Sequence, residues 1–202
     1  MKNNPYARVD KTIYALNHRY VVEFGIAKSQ LRFDELHIFK LIKKLYKSLL
    51  RETKLYYISL ARAEYRDLTD SVLSNLEIEN LLKGVFTGFN PVTLYIFENE
   101  FDRKAQRLME ALMSNYSEKD ILMDKHLKYI ARQMSQGALD VRDTVVLKAY
   151  KELGIKKVQW VTAEDEKVCS HCNELDGEIF DISKVPIKPH YNCRCYLIPA
   201  KE

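Results

Sequence analysis

The chain has 202 residues, of which 47% are hydrophobic and 30% charged, and its formal net charge is +4. No apolar run approaches the roughly 20 residues of a membrane span, and the polar start Met1-Lys2-Asn3-Asn4-Pro5-Tyr6 lacks the apolar core of a secretory leader, so a reducing cytoplasm is the expected site of synthesis. Charge is unevenly shared: residues 158–202 hold 5 Lys/Arg against 8 Asp/Glu, whereas residues 1–157 hold 27 against 20. A basic N-terminal part compatible with a polyanion or an acidic protein surface thus precedes an acidic end. Interleaved Lys and Glu along helices also fit a simple solvated surface.

Three regions are expected: an N-terminal arm over 1–30, a helical body over 31–157 and a small β-rich metal module over 158–202. In the first, Tyr14, Val21, Val22, Phe24 and Ile26 fit a short helix or an extended arm that Gly25 breaks, packed on something such as a neighbour. From Asp34 to about Tyr65 the pattern predicts a long amphipathic helix. Leu36, Phe39, Ile42, Leu45, Tyr46, Leu49 and Leu50 recur at three and four, with Lys40, Lys43, Lys44, Lys47 and Arg51 on the other side.

A second helix is predicted through Leu68, Val72, Leu73, Leu76 and Leu81, ended by the loop Gly84-Val85-Phe86-Thr87-Gly88-Phe89-Asn90-Pro91. Another runs from Thr93 to Met113. Ser117-Glu118-Lys119-Asp120 reads as a capping box launching a helix through Leu127 and Ile130. The stretch from Asp140 to Leu153 ends at Gly154, where a C-cap glycine belongs. Beyond it Val158, Trp160, Thr162, Ile179, Phe180, Tyr196 and Ile198 are strand formers in short runs. The fold class expected is mainly α, a multi-helix body with long amphipathic helices plus a C-terminal β-rich zinc knuckle.

Every cysteine lies in that knuckle. Cys169-x-x-Cys172 and His190-x-x-Cys193-x-Cys195 have the spacing of one four-coordinate structural zinc site: a tight turn aims two thiolates at one ion, and a distant pair completes the tetrahedron. Pro186 and Pro189 hold the second approach extended. Cys193 and Cys195 share a face in an extended segment, so the expected set is Cys169, Cys172, His190 and one of these two. The four cysteines alone are the competing set, and two disulfides would also satisfy the count. His171 reads as an exposed turn residue, and Trp160 as the hydrophobic plug. The thirteen tyrosines and eight phenylalanines read as core and interface anchors. No convincing paired-carboxylate site is legible.

The string Trp160-x-Thr162-x-x-Asp165-x-x-x-Cys169-x-x-Cys172-x-x-Leu175-Asp176-Gly177-x-x-Phe180, followed by Pro189-His190-x-Asn192-Cys193-Arg194-Cys195 and Pro199, closely resembles the Mu-F-like minor head proteins of tailed bacteriophages, also called phage head morphogenesis proteins. A looser resemblance covers Asn90-Pro91-Val92-Thr93 and Glu100-x-x-Arg103-Lys104.

What the resemblance implies is a virion component made in the host bacterial cytoplasm, located inside the head near the portal vertex and acting in head morphogenesis and DNA packaging or ejection. Implied partners are the portal protein, a scaffold or major capsid protein, and packaged DNA met by the basic helical body. No catalysis is implied, and no toxin or ADP-ribosyltransferase domain is expected after Pro199. Asp165 and Asp176-Gly177 are expected to organise turns around the metal.

Two alternatives stand beside it. An HNH-like nuclease would need a further histidine after His190. A zinc-stapled nucleic-acid-binding protein would need a basic recognition helix where this chain carries Glu174, Asp176, Glu178 and Asp181.

Overall fold

The computed structural model describes residues 5–83, 94–163, 168–190 and 192–200, with backbone alone for Lys83 and residues 94–100. The loop expected over Gly84–Pro91, the resemblance at Asn90-Pro91-Val92-Thr93 and the turn role of Asp165 lie outside the described residues. The described chain is mainly helical with one small antiparallel sheet. No described helix is long and apolar enough to cross a membrane.

The first thirty residues differ from the expected arm. They form one helix, α1 (Ala7–Gln30), which buries Val9, Leu16, Tyr20, Phe24 and Ala27. These recur at multiples near 3.6 and make a single inward stripe. Gly25 does not break it, because it stands on the exposed side and the packed residues around it hold the turn.

The next helix, α2 (Glu35–Thr69), is capped by Asp34, whose carboxylate accepts the backbone N–H of His37 at 2.6 Å. It buries Ile38, Ile42, Leu45, Tyr46 and Leu49 as its inner stripe. Leu36 and Phe39, expected inside, are 59% and 46% exposed, for they sit at the margin of the α2 contact with the fourth helix. The predicted second helix through Leu68–Leu81 is also interrupted. Asp70 takes a left-handed conformation, φ 57°, and stops α2. A capping box at Ser74 and Glu77 then starts α3 (Asn75–Lys83): the Glu77 carboxylate accepts the Ser74 backbone N–H at 2.8 Å, and Ser74 Oγ accepts that of Glu77 at 3.2 Å.

After α4 (Leu94–Ser114) comes a 3-10 turn, Tyr116–Glu118. No side-chain cap bond forms there, so the capping box expected at Ser117–Asp120 is absent: the chain enters α5 (Lys119–Glu152) from the turn that Glu118 N–H closes on the Asn115 carbonyl at 3.0 Å. The two helical stretches expected on either side of Asp140 are one 34-residue helix. From Gln136 to Leu147 it is buried on every side, as befits a helix flanked by α1, α2 and the C-terminal module.

Gly154 ends α5 as expected. At φ 75° its N–H reaches the Lys151 carbonyl at 3.1 Å, and the N–H of Ile155 that of Tyr150 at 3.0 Å, the paired bonds of a Schellman cap.

The C-terminal module follows: β1 (Lys157–Val161), α6 (Ser170–Leu175), β2 (Ile179–Asp181) and β3 (Tyr196–Pro199), with β1 central and both neighbours antiparallel. Val158 and Trp160 point inward, and Trp160, fully buried, pairs in register with Leu197. Their core includes Val146, Leu147 and Tyr150 of α5, so the small sheet uses the long helix as its second layer.

A buried polar node joins module to body. The Lys188 ammonium, 4% exposed, donates to Asp143 Oδ2 on α5, to the Tyr6 hydroxyl at 3.1 Å and to the Cys193 carbonyl at 3.0 Å. Burial opposes its charge, but the attraction of Asp143 prevails and its pKa is raised. Replacing Lys188 with Met is expected to cost about 3 kcal/mol, the lower end for breaking a buried pair because Arg142 still faces Asp143 at 3.3 Å. Lys188→Met combined with Asp143→Leu should recover part of that loss. Thermal or denaturant unfolding of the two variants checks both statements.

Candidate metal centre

Cys169 sits at the N-cap of α6 in an extended conformation, and the backbone N–H of Cys172 points at its Sγ at 3.4 Å. This arrangement puts the first two thiols on one turn. The turn after α6 is built by Asp176 and Gly177, in the role expected of them. The Asp176 carboxylate accepts the Thr162 N–H at 2.8 Å, while Gly177, at φ 82°, donates its N–H to the Trp160 carbonyl at 2.9 Å.

The second ligand group arrives on the segment before β3. Asn192 adopts a left-handed φ of 58°, and its backbone N–H is held by Gln136 Oε1 of α5 at 2.5 Å. The bend delivers His190, half-buried, with Cys193 and Cys195, both buried, to the face of α6.

The five donors form two triplets that share Cys172. Cys169, Cys172 and His190 lie within 4.8 Å of one another, as do Cys172, Cys193 and Cys195. Cys172 Sγ is 3.5 Å from His190 Nε2 and 3.6 Å from Cys193 Sγ. Ligand bonds of 2.3 Å to sulfur and 2.0–2.1 Å to nitrogen in a tetrahedron demand donor separations of roughly 3.8 Å and 3.6 Å. The two contacts of Cys172 match that spacing, but the donors form two triplets joined through Cys172, and a four-coordinate site would need Cys193 or Cys195 to draw closer to Cys169 and His190. Cys172 belongs to both triplets; Cys193 and Cys195 remain equivalent candidates for the fourth place. His171, whose side chain is 61% exposed, faces Glu174 and lies outside both groups.

The thiols carry free sulfhydryls in this arrangement. Burial pushes Cys172 up to about 12, and the hydrogen bond with Cys195 together with burial raises Cys193 further. Cys195 moves the other way, lowered chiefly by the hydrogen bond from Cys193. Cys172 and Cys193, held protonated by their surroundings, are thiols that a dication would deprotonate on binding. Among the described residues His190 is the only histidine of the cluster.

Sequence reasoning missed the groups that hold this site from behind. Gln136 bonds Asn192 and, through Nε2, Asp140 Oδ1 at 2.7 Å; Arg194 grips Asp10 of α1 with two bonds of 2.8 Å; the Tyr6 hydroxyl donates to the Cys195 carbonyl at 2.9 Å. Nothing in their local spacing marks them, since each pair is separated by at least 56 residues except Gln136 and Asp140, an i,i+4 pair.

The family described as "Phage Mu protein F like protein" matches residues 103–198. That span runs from within α4 through α5 and the whole metal cluster. Residues 103–198 are Mu protein F-like. The Mu-F-like likeness is to a phage head morphogenesis family, and it extends well upstream of the cysteine motif. An uncharacterized protein of Haemophilus influenzae is 28% identical over 150 residues, covering 67% of this chain and 33% of the relative. The chain therefore spans about a third of that protein's length. No solved structure matches.

One titration follows from this geometry. Asp140 is buried, and desolvation first, with Asp143 adding repulsion, raises its carboxyl to about 7 against the hydrogen bond from Gln136. A carboxyl whose folded pKa lies above its unfolded value stabilises the fold fully below the unfolded pKa and loses that contribution as pH rises through the folded one. The stability of the chain is expected to fall between about pH 4 and pH 7 through this group. Asp140→Asn should flatten that part of the curve, read from denaturant midpoints across the pH range.

Proposed function

We propose that this Mu-F-like protein is a structural minor head protein of a tailed phage or prophage, held at the portal vertex inside the head, where it acts in head morphogenesis and in DNA packaging or delivery. The observation that carries the reading is the Mu-F-like match over residues 103–198, a span that includes the central helix α5 and every cluster donor. The metal is zinc, bound by Cys169, Cys172, His190 and either Cys193 or Cys195 as a closed structural site. It supplies cross-linking rather than chemistry, because protein donors fill every place that a catalytic zinc would leave to water.

The portal protein is the principal partner, with scaffold or major capsid protein as further contacts during assembly. Packaged DNA is met by the outer face of α2. There Lys40, Lys43, Lys44, Lys47, Arg51 and Lys54 fall within an arc of roughly 100° over roughly 21 Å of helix. The carboxylates of Glu64 and Asp67 turn toward Arg8 of α1, whereas Glu52 lies 3.3 Å from Arg51 of the row itself and 3.8 Å from Arg19. Lys40, Lys43, Lys44 and Lys47, all exposed, face outward as a row suited to phosphates and carry no sequence code.

Protein purified without added metal is expected to hold one zinc per chain, with thiols that react only after a chelator is added. Absence of metal together with reactive thiols would defeat the zinc assignment. Cys172→Ser should release the metal and open residues 158–200 to protease while most helical signal persists. Co-expression should retain the protein on the portal, and its absence from both portal fractions and virions would refute the head assignment. For duplex DNA, affinity should fall with salt, and each Lys→Gln change on the α2 face should reduce the log–log slope by about 1.

A further inference from the structure

Two exposed surfaces among the described residues complement each other. The first is a groove of about 790 Å³ between the start of α2 and the second half of α4, with Leu36, Phe39, Met109 and Met113 among its lining. Leu36, Phe39 and Met113 are 59%, 46% and 38% exposed, an apolar trough open to solvent. Glu35, Asp102 and Glu110 also line it, against the single cation Lys43, so its rim is acidic on an otherwise basic helical body.

The second is the outer face of α1. Tyr14, Val21, Val22 and Ile26 are 75%, 57%, 39% and 50% exposed and share one side of the helix. Scattered exposed apolar residues are ordinary, but four along one face make a ridge. Its exposed charged and titratable neighbours are Lys11, His18 and Arg19; the nearby carboxylates are engaged, Asp10 with Arg194 and Glu23 with Arg19. The face thus carries two apolar edges, Tyr14 with Val21 and Val22 with Ile26, with Lys11 and His18 between them; Arg19 is offset by Glu23, so Lys11 gives the face its charge, opposite in sign to the rim of the groove.

The lengths agree as well. Tyr14 to Ile26 rises roughly 18 Å along the axis, and Asp102 to Met113 roughly 17 Å. Helices α1 and α4 each pack on the α2–α5 pair, and no substantial contact joins α1 to α4, so ridge and groove face different ways. Among the described residues, the ridge does not reach the groove of its own chain.

We propose that copies of this protein associate head to tail, the α1 ridge of one seated in the α2/α4 groove of the next. Such a contact is heterologous: it closes into a ring if the rotation per step permits and otherwise extends. It stands independently of the phage-head reading. The partner that recognises the groove is a second copy of this chain, chosen because both complementary faces are present in one molecule at matched length and opposite charge.

The test uses the intact chain in light scattering coupled to size exclusion over a concentration series. Wild type is expected to grow in mass with concentration. Val21→Glu destroys the ridge and Met113→Glu the groove; each position is exposed, and each variant is expected to remain monomeric with an unchanged helical circular dichroism signal.

Mixed one to one, the two variants should form a dimer and stop there, since the intact ridge of the Met113→Glu chain fits the intact groove of the Val21→Glu chain and the remaining faces are spoiled. A wild type that stays monomeric throughout would overturn the proposal, as would variants that associate like wild type. A mixture that fails to dimerise would overturn the head-to-tail pairing. Capture of a foreign basic amphipathic helix by the groove of a monomeric wild type would assign it to another partner and count against self-association.

Discussion

The Lys188 ammonium is the point on which the architecture turns. An ammonium has three donors, and all three are used: a carboxylate from the central helix, a hydroxyl from the N-terminal segment and a backbone carbonyl from the ligand loop. Its neighbours are equally committed. Asp143 Oδ1 faces Arg142 at 3.3 Å and the Tyr6 hydroxyl at 3.2 Å, while the Arg142 guanidinium lies over the Tyr6 ring and donates to the Pro5 carbonyl at 2.9 Å. Burial raises the Tyr6 phenol and keeps it neutral, so it can go on donating. Because these groups are out of reach of water, moving the module would part Lys188 from Asp143 and Tyr6 and leave buried partners unmatched.

The node and the metal cluster act on the same few residues from opposite sides. Cys193 and Cys195 present their thiols to the other donors, while their carbonyls accept from Lys188 and Tyr6. Between them Arg194 is tied to Asp10. The ligand loop is therefore clamped before any ion is considered, and Gln136 fixes the left-handed Asn192 at its start. A small sheet of three short strands would bury little by itself. Here it gains a second layer from Val146, Leu147 and Tyr150 and a polar lock beneath its ligand loop.

What was legible in the sequence is what depends on local chemistry. The helical periodicities, the strand formers around Trp160, the Gly154 cap and the five candidate donors all follow from spacing and residue type. The failures share a cause. Local propensity makes Gly25 a break and leaves the residues between Ile130 and Asp140 unassigned, yet α1 and α5 run through both because tertiary burial supports them. Leu36 and Phe39 belong to the apolar period of α2 but sit at its uncovered end, and periodicity says nothing about where a neighbouring helix stops. Two boxes with similar letters diverged: Ser74-x-x-Glu77 forms, whereas Ser117-x-x-Asp120 does not, the chain there entering α5 through a 3-10 turn. The junction was invisible altogether, because its partners are brought together only by the fold.

That junction also qualifies how far the Mu-F-like segment can be taken as a unit in this chain. The matched residues begin at Arg103, yet Tyr6, Asp10 and Glu64 all lie upstream and contribute to the ground on which the module stands. Removing them would leave Lys188 without its phenol, Arg194 without its carboxylates and a buried face of α5 open where α1 and α2 now cover it. The module in this protein is completed by a helix nearly two hundred residues away in sequence, with Tyr6 separated from Cys195 by 189 positions. Contacts of that separation form late, since the loop entropy is paid before the buried charges are matched. The order of assembly that this implies is the module docking onto α5 first, Lys188 and Asp143 being 45 positions apart and Asn192 and Gln136 56, with α1 and Tyr6 laid over both last.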